Sequence, residues 1–140
     1  MASGGFRPVS GLAAIIGAFP LIAIAIPFYL YFQNTGQLDT VIFTMWGAEM
    51  TGGFVALAVA GVVLPLEIAK ASDTGMKGLI DTGLSIFLFC FMWLCFASAM
   101  NAEFRSPYWV ILCLIQTGDA LGGTVVTIVA ARRDFGTGSA

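Results

Sequence analysis

The stretch Tyr108–Ala131, YWVILCLIQTGDALGGTVVTIVAA, runs for 24 residues with a single charged side chain, Asp119. About 20 largely apolar residues carry a helix across a bilayer, so this stretch reads as a membrane span. Three others qualify: Gly11–Phe32, Val41–Leu66 and Gly78–Met100. The links between them are short. Asn34-Thr35-Gly36-Gln37 and Ala71-Ser72-Asp73-Thr74-Gly75 are turn signals, and Asn101–Pro107 closes the last hairpin. No stretch alternates with period two, which argues against a barrel. Backbone groups in hydrocarbon must satisfy one another, which leaves helices. The expected fold is an all-α, integral membrane four-helix bundle in one domain, residues 1–140.

Composition agrees. Of 140 residues, 59% are apolar and 10% charged, against about 25% charged in a soluble domain; the mean hydropathy is +0.93. Such a chain cannot cover a globular surface with charge. It has no histidine, so every His-dependent chemistry is excluded. Cys90, Cys95 and Cys113 all fall within spans and form no C-x-x-C pair, so they read as small apolar fillers rather than a redox or zinc site. No metal and no cofactor are expected. No basic cluster points to nucleic acid.

Lysine and arginine give an orientation. Arg7, Lys70, Lys77, Arg132 and Arg133 fall on one side and Arg105 on the other, which puts both termini in the cytoplasm. Aromatic residues mark the opposite interface: Phe28, Tyr29, Tyr31 and Phe32 end the first span there, and Tyr108 and Trp109 begin the fourth. The first span is full length and no small-residue cleavage site follows it, so it reads as an uncleaved anchor. Pro20 and Pro27 are expected to kink it.

Trp46–Gly61 and Gln116–Ala131 align at an offset of 70 residues, with five identities in sixteen positions and Glu49 opposite Asp119. Gly52 and Gly53 fall on Gly122 and Gly123. The reading is two parallel-repeated helical hairpins, residues 1–70 and 71–140, with a site at the repeat interface.

An ionisable group in the bilayer costs roughly 2.5–3.5 kcal/mol and marks a functional site by default. At 1.5 Å per residue, Glu49 and Asp119 should lie about 12 and 16 Å inside their spans. Both would then share a layer near the midplane, on faces of small residues that let helices approach closely. Two such carboxyls do not both ionise easily, and one protonated acid beside one carboxylate suits general acid–base chemistry. Glu49 and Asp119 are thus the candidate catalytic pair. Gln116 and Trp46 would orient them, and Trp93 and Cys90, at the same depth, would contact an apolar substrate. Glu67 and Asp81, nearer the span ends, read as solvated partners of Lys70 or Lys77.

Trp46-Gly47-Ala48-Glu49 and Thr117-Gly118-Asp119-Ala120 resemble short motifs in a broad group of small four-span membrane proteins, mostly uncharacterised. Those proteins tend to have arginine where this chain has Glu49. In style, acids inside a helical bundle are also similar to fungal membrane cyclases and epoxide-opening enzymes of natural-product pathways. That resemblance implies a metal-free acid–base isomerase, cyclase or epoxide-opening hydrolase acting on an apolar small molecule. Two alternatives remain open. One is an accessory or assembly subunit of a larger membrane complex; the other is a small proton-coupled transporter. Expected partners are membrane lipid, an apolar small molecule, and either a second copy or another membrane protein.

Overall fold

A computed structural model describes residues 19–70, 76–98 and 102–136. Pro20 is extended and starts a 3₁₀ turn, Leu21–Ile24, which runs directly into α1, Ala25–Asn34. A β-hairpin follows, β1 Val41–Met45 and β2 Ala48–Thr51. Then come α2, Gly52–Lys70, α3, Met76–Ala97, a 3₁₀ turn at Ala102–Arg105, and α4, Pro107–Gly136. Stretches of α2, α3 and α4 are long and apolar enough to cross a membrane: Gly52–Lys70, Gly78–Ala97 and Pro107–Val129. The described part of α1 is shorter, and the expected span residues 11–18 lie outside the described residues.

Proline and glycine decide where these elements begin. Pro27 sits in the first turn of α1, after the 3₁₀ turn, where its missing N–H is least needed. The expected kink is therefore a change of helix type at the N-terminus. Gly52 and Gly53 open α2, and their N–H groups donate to the carbonyls of Gln37 (3.2 Å) and Leu38 (2.9 Å). The loop after α1 thereby holds the start of α2.

The helices alternate in direction. Tyr29 of α1 donates from its hydroxyl to the Glu103 carbonyl and lies 2.8 Å from Ser106 Oγ. At the other end of the bundle, Leu21 N donates to Glu67 Oε2 of α2 at 2.9 Å. α4 packs on both α2 and α3, and α1 covers α2. At the hairpin end, the packed core centres on Trp109, which lies 5.1 Å from Tyr29 and 4.6 Å from Phe104, ring to ring. Its indole N–H donates to the Met92 carbonyl at 3.3 Å.

One expected span is corrected. Val41–Leu66 is not a continuous helix, because its first eleven residues form the hairpin and the linkage into α2. Val-Ile-Phe-Thr-Met is a β-branched and aromatic run that favours strand. Trp46 and Gly47 both have positive φ, 52° and 80°, the geometry of the two-residue turn whose twist matches a hairpin. β1 and β2 pair antiparallel, Thr44 opposite Glu49 and Met45 opposite Ala48, with an irregularity between Val41 and Phe43. The fold is mostly helical rather than strictly all-α. The two copies of the expected repeat also differ locally. Glu49 stands on a strand where Asp119 stands within a long helix, and Gly52-Gly53 starts a helix where Gly122-Gly123 continues one.

A Cβ at Gly53 would lie 2.6 Å from the Tyr108 ring, whereas one at Gly61 would meet open space. Gly53→Val should therefore destabilise the fold by about 1–3 kcal/mol, the usual cost of overpacking. Gly61→Ala should be neutral or mildly stabilising. Thermal unfolding in detergent, followed by circular dichroism, checks both.

Candidate functional site

Among the described residues, five polar side chains are buried inside the bundle: Glu67, Asp81, Ser85, Gln116 and Asp119. They lie on α2, α3 and α4 and form two adjoining groups. Burial in hydrocarbon makes every missing partner costly, so what each side chain touches decides its role.

The first group centres on Lys70, in the last turn of α2. Its ammonium is 3.1 Å from Glu67 Oε1 and 2.7 Å from Asp81 Oδ1 of α3. It also donates to the Phe19 carbonyl at 2.8 Å. The Asp81 contact is a close ion pair rather than an aligned hydrogen bond. Glu67 uses its second oxygen to accept from Leu21 N, which caps the 3₁₀ turn ahead of α1. The expectation of solvated carboxylates here is corrected. Glu67 is 1% exposed and Asp81 3%, and Phe19 and Leu21, ahead of α1, bond to Lys70 and Glu67 of this group. The Glu-x-x-Lys spacing at 67–70 was the available signal, since it sets both groups on one helix face.

The second group lies deeper in the membrane-crossing stretch. Asp119 is buried near the middle of the Pro107–Val129 span. Its Oδ2 accepts from Gln116 Nε2 at 3.1 Å, and Ser85 of α3 also hydrogen-bonds the carboxylate. Gln116 Nε2 donates as well to the Ser85 carbonyl at 3.1 Å. Both partners of that nitrogen are acceptors, which fixes the amide's orientation. Its Oε1 is buried with no hydrogen-bond partner among the described residues. No lysine or arginine pairs with Asp119 among the described residues. Ser85 is the residue the sequence reading missed. It stands four residues after Asp81, so one face of α3 carries both groups.

The other expected site residues are placed as follows. Trp93 is half-buried, and its indole N–H donates to Thr117 Oγ1 at 3.1 Å, beside Gln116 on α4. Cys90 is exposed on the outside of α3. Glu49 and Trp46 do not join the site. Glu49 is exposed on β2, and Trp46 is 96% exposed at the hairpin turn. The expected pairing of Glu49 with Asp119 in one interior layer is therefore corrected. The hairpin takes up the residues that a longer helix would have used to bury Glu49. No group of three or more His, Cys, Asp or Glu residues able to hold a metal ion occurs among the described residues.

Comparison with known proteins adds one likeness. No family model matches the chain, and no solved structure matches it. The chain is 31% identical over 109 residues to the protoheme IX farnesyltransferase of Methylobacterium sp. (strain 4-46), an alignment covering 78% of this chain and 27% of that protein. The chain thus spans about a quarter of the length of the curated relative it matches. Three apolar helices of crossing length define the class: a helical integral membrane protein.

Lys70 is the single described cation against Glu67 and Asp81. Lys70→Met should leave both carboxyls uncompensated and cost about 3–5 kcal/mol, as when one partner of a buried pair is removed. Lys70→Arg should retain most of the stability. The melting temperatures of the two variants in detergent, compared with the parent protein, test this.

Proposed function

We propose that the chain is a metal-free, membrane-embedded acid–base centre that acts on an apolar small molecule of isoprenoid type. Asp119 is the proton-exchanging group, and Gln116 and Ser85 orient it. The observation that carries this reading is the contrast between the three buried carboxyls. Glu67 and Asp81 are tied to Lys70. Asp119 is hydrogen-bonded to the neutral Gln116 and Ser85 at mid-span and is in no salt bridge among the described residues. It is the one carboxyl of the three that can take or release a proton without breaking an ion pair. General acid–base catalysis by a positioned carboxyl is worth about 10²–10⁴-fold. The unpartnered Gln116 Oε1 supplies an acceptor for a hydroxyl on the substrate. The isoprenoid class is suggested by the relative, whose name gives farnesyl transfer to protoheme IX.

The proposed orientation puts both termini in the cytoplasm. Lys70 and Arg132 then lie on the cytoplasmic side, and the hairpin lies on the outer side. Impermeant labelling of cysteines introduced at Ser98 and Thr35, in a background lacking Cys90, Cys95 and Cys113, tests it: both should label from outside.

A second reading is an accessory subunit of a larger membrane complex, supported by the short links between helices and by open glycine positions such as Gly61, Gly83 and Gly118 that could receive another helix. Native mass spectrometry of the protein gently extracted from its host membrane separates the two. A bound apolar compound on a monomer or homodimer supports the enzyme, and a stoichiometric protein partner supports the subunit. The compound so identified is then the substrate to assay. Asp119→Asn should lower its turnover about 10²-fold or more, while Glu49→Gln leaves turnover unchanged. Full turnover by a folded Asp119→Asn protein overturns the enzyme reading.

A further inference from the structure

The hairpin and α2 enclose a groove that the buried polar site does not use. Its volume is about 350 Å³, at the low end of the roughly 300–1,000 Å³ range of small-molecule sites. Phe43, Met45 and Met50 of the hairpin form its upper part. Phe54, Val59 and Val63 are among the α2 residues that continue it. Every lining residue is apolar, so whatever enters brings no polar atoms with it. We infer that this groove is a lateral site for one acyl chain of a zwitterionic bilayer phospholipid, with the hairpin lying in the headgroup layer.

Four observations select that occupant. First, the α2 wall belongs to a membrane-crossing stretch and faces away from the buried residues Gly53, Ala56 and Ala60. The medium that meets it is therefore hydrocarbon. Second, the hairpin has two open edges and exposes side chains on both faces; all five residues of β1 are exposed. Unpaired backbone edges are not tolerated in the hydrocarbon core, which sets the hairpin at the interface. The aromatic residues Tyr31 and Tyr108 at the same end of the bundle mark that level. Third, Phe54 to Val63 descends about 14 Å along the helix at 1.5 Å per residue. That is close to half of the ~30 Å hydrocarbon core, the depth of one leaflet. Fourth, residues 35–69 contain no lysine or arginine, while the same stretch carries Asp39 ahead of β1 and Glu49 on β2, the latter on the hairpin face opposite Phe43, Met45 and Met50. An anionic headgroup would be repelled. A quaternary ammonium would meet acidic side chains and the exposed Trp46 ring, a good cation–π surface.

The experiment uses the full-length protein in phosphatidylcholine nanodiscs doped with a phosphatidylcholine carrying a diazirine in one acyl chain. After illumination, mass spectrometry maps the adducts. Adducts should concentrate on residues 43–63 relative to Leu94 and Leu121, which are equally exposed on α3 and α4. Ala58→Trp, which puts a large ring into the groove, should lower groove adducts about tenfold, the loss that 1.4 kcal/mol represents. It should leave the Leu94 and Leu121 adducts unchanged. A phosphatidylglycerol probe with the same chain should label the groove less than the phosphatidylcholine probe does. Even labelling of all three helices in the parent protein overturns the site, whether or not the variant folds. Stronger groove labelling by a diazirine-bearing farnesyl probe overturns the acyl assignment. Equal labelling by phosphatidylglycerol overturns the headgroup preference.

Discussion

The ammonium of Lys70 is the constraint on which the arrangement of this molecule depends. One cation, at the end of α2, meets Glu67 on its own helix, Asp81 on α3 and the Phe19 carbonyl ahead of α1. Glu67 in turn accepts from the first N–H of the 3₁₀ turn. Three elements are thereby joined through charges that are worth little in water and much in a medium that cannot solvate them. The same low dielectric makes the arrangement exacting. Every partner has to be present, because a carboxyl left alone in that setting carries its full desolvation cost. The ion pairs therefore specify which helices adjoin at this end, and α1 must begin where Glu67 can cap it.

The opposite end is held by different physics. There the contacts are aromatic and steric: Trp109 against Tyr29 and Phe104, Gly53 against the Tyr108 ring, and the Gln37 and Leu38 carbonyls on the first N–H groups of α2. Between the two ends, Asp119, Gln116 and Ser85 form a polar group joined by hydrogen bonds, with no salt bridge to Lys70. A bundle closed by ion pairs at one end and by rings at the other holds a hydrogen-bonded carboxyl in its middle.

The hairpin shows how hydrophobicity alone misleads. Val41–Thr51 is apolar enough to extend a span, and counting apolar residues merges it with α2. Its own chemistry says otherwise. A β-branched and aromatic run precedes a Trp-Gly pair that takes positive φ at both residues, and Gly52-Gly53 then starts the helix. Hydropathy is insensitive to this because strand and helix bury the same side chains; the distinction lies in the turn. Moving the helix start from Val41 to Gly52 separated Glu49 from Asp119. The Asp119–Gln116 pair survived because both sit on one helix face, three residues apart, where spacing alone brings them together.

By itself, the sequence determined the class of the protein and much of its helical plan. Too few charges cover 140 residues, and runs of about 20 apolar residues can only be helices in hydrocarbon. It also singled out Asp119 and Gln116, since a carboxyl within such a run stands out on cost alone. The tertiary structure decided which acids are paired. Glu67, Asp81 and Ser85 lie on two helices, and their approach to Lys70 and Asp119 depends on how those helices pack. Periodicity along one chain records which face a residue occupies. It does not record which other face it meets, and that meeting sets burial, charge pairing and the hydrogen-bond partners of Asp119.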